Sequence, residues 1–484
     1  MLPVVVLASF HVLAAGGLRV SDIQSLPGTP SVFVDEFPHV FDETPSLASL
    51  NLDMHHIYAE QVCVGHEGFV ASAAPRSFCR YEAGQRDMMV DLEFHPEIVF
   101  DQFATERVLL AKWKSLSTSS PSNVDVVVVP SFQLLQLSVG GFSWGNVNYF
   151  DHVKKSLGTP QRHDEFWNQI RQRHFNTSGD ATGPIIVVHM PFTFDILGPQ
   201  EAMAALARQP REFVDVVVVA AIESELPKSK RFFPSHCSDS YQVELARRLR
   251  WEGVRGCPLR VTVPYTTSIL DPVPFAESDG SYNASAPRPI AVLLDAKESR
   301  SEMRNALARG LERHGARHGA VFKAGCESCA AGNMWENVVH SDFCLEPPGD
   351  TLTRSHFFVA VQSGCIPVLF EAGHPQYDES TLTSWPWRQE LNRAEWSSLT
   401  LPSLDYESFA VVYNWTQIAA EHRDVTQELI DMPTKDPQRF LSLRRSLDQA
   451  RHLLMYRHGA CHAPCQDAST ALWAVVNALI ESKM

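Results

Sequence analysis

Two series of short, nearly continuous apolar runs alternate along the chain with amphipathic stretches. In the first series, Val124-Asp-Val-Val-Val-Val-Pro130, Ile185-Ile-Val-Val-His189, Val214-Asp-Val-Val-Val-Val-Ala220 and Leu259-Arg-Val-Thr-Val-Pro264 are rich in β-branched residues and show almost no polar alternation. Strands covered by helices on both faces read this way, so the runs predict a parallel sheet. Helical sequence lies between them, for example at Glu201 to Arg208 and Ser240 to Trp251. The second series predicts strands at Ile290 to Leu294, Ser341 to Leu345 and Ile366 to Phe370, with helices at Ser301 to His314 and Leu352 to Ser363. Further helices are predicted at Pro437 to Arg457 and Ala468 to Ser482, whereas residues 20–60 show little periodicity.

The alternation predicts an α/β protein, and 484 residues exceed what one hydrophobic core usually serves. The Pro, Ser, Asp and Gly-rich segment 271–289 reads as a linker between a first domain at 21–270, with an N-terminal extension, and a second at 290–484 that includes the terminal helices. Residues 1–20 are an apolar run ending in small residues, too short to span a bilayer comfortably, and are expected to be a signal peptide. A buried first strand is the alternative, since no Lys or Arg precedes the run and His11 interrupts it. Sequons beginning at Asn176, Asn283 and Asn414 favour the secretory reading.

Ten cysteines fit a lumenal protein with several disulfides, Cys63 with Cys79 and Cys344 with Cys365 being the leading pairs. Zinc is the alternative reading: Cys326-x-x-Cys329 is a single CxxC and a weak signal, and Cys461-His462-x-x-Cys465 lacks a usual zinc-knuckle spacing. The net charge of −15 argues against a nucleic-acid binder, so an anionic ligand must be held by a few placed Arg residues and backbone amides.

The richest chemistry lies between Ser341 and Phe370. Pro347-Pro348-Gly349 ends a strand and lets backbone approach a ligand; Asp350, Thr351 and Thr353 suit an N-cap or first turn; Gly364 suits a helix stop. A helix N-terminus is thereby expected at the carboxyl end of a buried strand, where open α/β sheets bind ligands. Amides at Gly349 to Thr353 would attract a diphosphate, joined by Arg354 and by Arg300 and Arg304. From spacing alone, an ordinary βαβ unit without a ligand is an equal reading.

The wording of this segment tips that balance. Phe343-Cys-Leu, Pro347-Pro348-Gly349-Asp350, Thr353-Arg354 and Gly364-Cys-Ile-Pro-Val368 resemble the signature of exostosin-family glycosyltransferases, especially plant-type members that decorate cell-wall polysaccharides. Weaker resemblances at Asp125 to Pro130, Arg260 to Pro264, Met303 to Leu307 and Leu401 to Val411 fall in the same order. Ser355 stands where the family often has a second basic residue, and Val359 where an acidic one is usual. The resemblance implies a GT-B-like fold, two facing Rossmann-like domains with the nucleotide-sugar held by the second and the acceptor by the first. It implies an inverting galactosyl- or xylosyltransferase-like reaction from a UDP-sugar to a glycan or polysaccharide hydroxyl. No cofactor or metal is expected to be required, and Golgi-lumen or secreted localisation and a homo- or heterodimer fit the same picture.

A general base is expected from the carboxyl ends of the first-domain strands, with His189, Glu223 and Asp195 as candidates. His189 reads equally as a satisfied core histidine. The competing reading is an inactive family member that binds glycan or stabilises a partner. A secreted hydrolase is disfavoured by the lack of Gly-x-Ser-x-Gly, and a kinase or dehydrogenase by the lack of glycine-rich phosphate loops.

Overall fold

The computed structural model describes residues 30–35, 124–130, 160–175, 183–190, 197–221, 256–264, 288–296, 301–318, 320–324, 337–348, 353–371, 385–388, 402–456 and 468–481. It also describes positions 109, 113, 116–118, 233–235, 237 and 245, and the backbone of three strands between 69 and 91.

Strand β1 (Val32–Val34) is followed by β2 (Phe69–Ala71), β3 (Phe78–Tyr81) and β4 (Met88–Asp91), which pair with one another as an antiparallel sheet. Next come β5 (Val126–Pro130), α1 (Pro160–His174), β6 (Ile185–Met190), α2 (Leu197–Ala207), α3 (Arg211–Val214), β7 (Val217–Ala221) and β8 (Leu259–Thr262). The first parallel sheet has the order β1-β5-β6-β7-β8. Its strands are the Val-rich runs, and Val126 to Val129 and Val217 to Val219 are buried throughout, as strands covered on both faces must be.

The third run begins three residues later than its apolar sequence suggests. Val214 closes α3, and Asp215 turns its carboxylate to accept the N–H groups of Gly256 and Cys257 at 2.6 and 3.3 Å. Gly256 has φ +85°, and a disulfide between Cys237 and Cys257, not foreseen from spacing, ties the same turn.

Helix α1 was not legible as an element because most of its surface is polar. Its buried stripe is His163, Phe166, Trp167 and Ile170, and Trp167 Nε1 donates to the Ala202 carbonyl of α2 at 2.8 Å. Burial pulls the His163 pKa down to about 4, so the ring folds neutral. Its contribution to stability is present above the ordinary pKa of 6.5 and is lost as pH falls towards about 4. A His163→Gln variant is expected to remove about 3 kcal/mol of the acid-side loss, read from denaturant titrations across that window.

The second parallel sheet is formed by β9 (Ile290–Ala296), β10 (Ala320–Ala324), β11 (Ser341–Glu346), β12 (Ile366–Glu371) and β13 (Val411–Asn414). Helix α4 (Glu302–His318) follows β9, α5 (Ser355–Gln362) follows β11, and α6 (Tyr406–Phe409) precedes β13. Beyond them lie α7 (Trp415–Glu421), α8 (Val425–Lys435), α9 (Pro437–Ala450) and α10 (Ala468–Glu481). The order is β10-β9-β11-β12-β13, so the chain steps to one side of β9 and then returns to its other side. The reversal lies between β9 and β11, and their carboxyl ends diverge there into opposite crossovers.

Helix α5 ends in a Schellman motif: Cys365 N–H bonds the Ala360 carbonyl at 2.9 Å, Gly364 N–H bonds Val361 at 3.1 Å, and Gly364 has φ +68°. The next residue is half of the Cys344–Cys365 disulfide, which locks β11 to the start of β12. Cys63 lies outside the described residues. The disulfide joins residues 21 apart. Replacing both cysteines by alanine is expected to cost about 3 kcal/mol in urea titrations under non-reducing conditions.

The chain then returns to the first sheet. Tyr456 donates to the Pro264 carbonyl at 3.1 Å, and Trp473 of α10 packs edge-on against Trp113 with ring centroids 5.3 Å apart. No described helix is long and apolar enough to cross a membrane.

Candidate functional site

At the carboxyl edge of the second sheet, β11 ends not on an apolar residue but on Glu346, which is 2% exposed. Its two carboxylate oxygens meet different cations: Oε1 lies 2.6 Å from His356 Nδ1, and Oε2 lies 3.6 Å from the Arg354 guanidinium. Arg354 also donates to the Asp295 carbonyl on β9 at 2.8 Å and, at the limit of hydrogen bonding, to Pro347 at 3.5 Å. This side chain therefore bridges the carboxyl ends of β9 and β11 at the switch point. The two carbonyls engage two of the five guanidinium N–H donors, and the Glu346 oxygen is an ion-pair neighbour beyond hydrogen-bond reach, on a side chain that is 15% exposed. Arg304, in the first turn of α4, reaches the same turn by donating to the Pro348 carbonyl at 2.9 Å.

The start of α5 differs from the predicted one. The N-cap is Arg354, in extended conformation at φ −139° and ψ 142°, with no side-chain cap bond, so the helix begins at Ser355 instead of Leu352. In this extended conformation, outside the helix, Arg354 reaches across to the Asp295 carbonyl. The next helices are capped conventionally. Asp405, Asn414, Asp424 and Asp436 each accept a backbone N–H within the first turn of α6, α7, α8 and α9 respectively. Where those four helices have an acceptor, α5 has a cation. A helix start without its own acceptor, flanked by guanidinium groups, suits an anion.

His356 lies in the first turn of α5 and is 6% exposed. Burial alone would lower its pKa, but the Glu346 charge and hydrogen bond outweigh burial and raise it, with Asp295 adding to the effect and Arg354 opposing it. Neither Glu346 nor His356 was singled out from the sequence. The available signal was a Glu ending a buried run, ten residues before a His at a helix start.

A second carboxylate, Glu371, ends β12 and is 3.7 Å from Arg388. Burial raises its pKa, Arg388 counteracts, and Glu407 adds to the rise. Arg388 follows Trp387, a buried residue held at φ +56° with Nε1 donating to the Leu453 carbonyl at 2.7 Å. A non-glycine residue in that conformation is strained, and here the strain accompanies placement of an arginine over the same sheet edge.

Of the nucleotide-side candidates, Thr353, Arg354 and Arg304 converge on this edge, Thr353 being buried directly before Arg354. Gly349, Asp350, Thr351 and Arg300 lie outside the described residues, as do Glu223 and Asp195. His189 is 1% exposed near the carboxyl end of β6 and accepts a hydrogen bond from Trp113 Nε1 at 3.1 Å. That bond uses the Nε2 lone pair, which places the neutral ring's proton on Nδ1. Val359 packs against the Cys344–Cys365 disulfide in an apolar cluster. Among the described residues no three His, Cys, Asp or Glu side chains are grouped to hold a metal ion.

The fold is that of a two-sheet α/β protein whose second sheet gathers Arg304, Arg354, Glu346 and His356 at one edge. Residues 252–427 match the model of the exostosin GT47 domain, a stretch that runs from the last strand of the first sheet through the second sheet. A probable xyloglucan galactosyltransferase GT19 of Arabidopsis thaliana is 31% identical over 123 residues, 25% of this chain and 24% of that protein. Probable xyloglucan galactosyltransferases GT15 and GT14 of the same plant are 40% identical over 57 residues and 33% over 79. These two matches cover 12% and 16% of this chain and 11% and 14% of the respective relatives. None of the three matches spans as much as a quarter of the relative's own length. A chain of the GtfA/B complex is 10% identical, covering 67% of this chain and 60% of that one, with a TM-score of 0.31, too loose a likeness to argue from.

Proposed function

We propose that the protein is a glycosyltransferase that moves a sugar from a nucleoside-diphosphate donor, a UDP-sugar, to a hydroxyl of a glycan or polysaccharide. The observation carrying this reading is the buried cationic cluster at the switch point. Arg304 donates to the Pro348 carbonyl and Arg354 to the Asp295 carbonyl, while Arg354 and His356 both approach the Glu346 carboxylate, which gathers two guanidinium groups and an imidazole in a chain whose net charge is −15. A departing diphosphate develops its charge where fixed guanidinium donors and helix amides stabilise it without reorganisation. The relatives' printed names, xyloglucan galactosyltransferases, support a hexosyl donor and a polysaccharide acceptor.

Direct inversion at the sugar carbon needs a base for the acceptor hydroxyl, and we infer that it comes from the carboxyl edge of the first sheet. Asp195, Glu223 and His189 are its candidates, and His189 would have to release Trp113 to act through Nε2. No metal is required in this scheme, because arginine and amide groups carry the leaving-group charge. The cysteine content, sequons and N-terminal apolar run support a lumenal or secreted protein, and two disulfides are present among the described residues.

Thermal-shift screening of nucleotide-sugars tests the donor, since a ligand that binds only the folded state raises its Tm. UDP-galactose is expected to raise the melting temperature and to be turned over with a xyloglucan acceptor. Binding without turnover would indicate instead a glycan-binding or complex-stabilising partner.

A further inference from the structure

The ring of His356 has one nitrogen bound to Glu346 at 2.6 Å, while its other nitrogen, Nε2, is buried and has no hydrogen-bond partner. A buried N–H without an acceptor costs about 1–3 kcal/mol, so native proteins rarely leave one. The ring sits in the first turn of α5, beside Arg354 and the amides of a helix whose N-cap supplies no acceptor. An acceptor is missing, the surroundings are cationic, and the position faces the end of the sheet where the donor is placed above.

We propose that His356, braced by Glu346, donates its Nε2–H to a phosphate oxygen of the nucleoside diphosphate and so makes donor binding depend on one proton. The assignment rests on the donor reading above and adds to it a positioning pair, Glu346 and His356. Glu346 on β11 orients the ring and favours the imidazolium, Asp295 on β9 favours it further, and Arg354 before α5 opposes it. Losing that proton at Nδ1 or Nε2 removes a positive charge from the cluster and weakens its hold on a diphosphate.

The decisive experiment titrates the full chain with UDP by calorimetry from about pH 7 upward to the alkaline limit at which the protein stays folded, a range in which the terminal phosphate of UDP is already ionised. Wild-type affinity is expected to fall by about 10–100-fold through the His356 transition, the value of one charge-assisted hydrogen bond. His356→Gln is expected to bind UDP with the weak high-pH affinity at every pH. Glu346→Gln, which removes the favourable carboxylate, is expected to move the transition to lower pH. Inorganic pyrophosphate, used as a second probe, is expected to share the transition, because the phosphate oxygen is what the ring reads.

A wild-type affinity that stays flat across the range overturns the assignment, and that result needs no variant to fold. So does a folded His356→Gln protein with the wild-type profile. In both cases UDP still binds and the transferase reading stands. If wild-type protein binds neither UDP nor any nucleotide-sugar of the thermal-shift screen, both readings fall.

Discussion

Arg354→Ala is expected to raise the donor KM and lower kcat, with a combined loss in kcat/KM of about 10²–10³. Two functions converge on this side chain. It bridges the Asp295 carbonyl on β9 and the Glu346 carboxylate on β11, and it keeps N–H donors for a ligand at the start of α5. Steady-state kinetics with the donor found by thermal shift, at saturating acceptor, measures the loss. Arg354→Lys retains the charge but cannot span both strand ends with a planar fork, so it is expected to recover only part of it. Kinetics unchanged in the alanine variant would remove Arg354 from the donor site. A melting temperature close to wild type in either variant separates a site effect from a folding defect.

The largest effect on stability is expected at the opposite end of β11. Arg444 of α9 is almost wholly buried, stacks over Phe440 at 4.6 Å and pairs with Asp342 on β11. Arg288 braces the same region, donating to the Ser341 carbonyl at 2.7 Å and to Ser363 at 3.1 Å. Burial raises the Asp342 pKa, and the two arginines hold it down. Arg444→Ala leaves that carboxylate without its main partner and is expected to cost about 3–5 kcal/mol in denaturant titrations at neutral pH. An acid whose folded pKa is raised gains stability for the fold as pH drops through that pKa, so the deficit is expected to shrink on acidification. Pairing Arg444→Met with Asp342→Asn is expected to restore most of the loss, because the cost lies in the unpaired charge. A deficit that is the same at every pH would assign the effect to lost packing over Phe440.

The strands were legible where burial on both faces forced continuous β-branched sequence, as at Val126 to Val129, Ile185 to Val188 and Val217 to Val219. The unit from β11 to β12 was legible because its signals agree with one another: a Pro-Pro-Gly break, a helix-stopping Gly364 and two cysteines placed to bond across it. Elements with mixed or short patterns were missed. Strand β10 is five residues, β1 three, and α1 hides a narrow buried stripe among Gln, Arg, His and Asn residues.

The candidate site divides in the same way. Arg354, Thr353 and Arg304 could be chosen from their positions near a strand end and helix start. Glu346 and His356 could not, because a carboxylate and an imidazole ten residues apart have no local periodicity linking them. Asp295 could not be assigned either, since it acts on Arg354 through its carbonyl, a group every residue carries.

By itself the sequence determined the α/β class, the two series of apolar strands and the βαβ unit at 341–371, all set by local patterning and burial, and it favoured Cys344 with Cys365 as a pair without fixing the connectivity. Only the tertiary structure decided the strand order that puts the switch point between β9 and β11, and with it the meeting of Arg354, Glu346, His356 and Asp295. Strand order depends on which crossovers pack best across the whole sheet, a long-range choice that no short window of residues encodes.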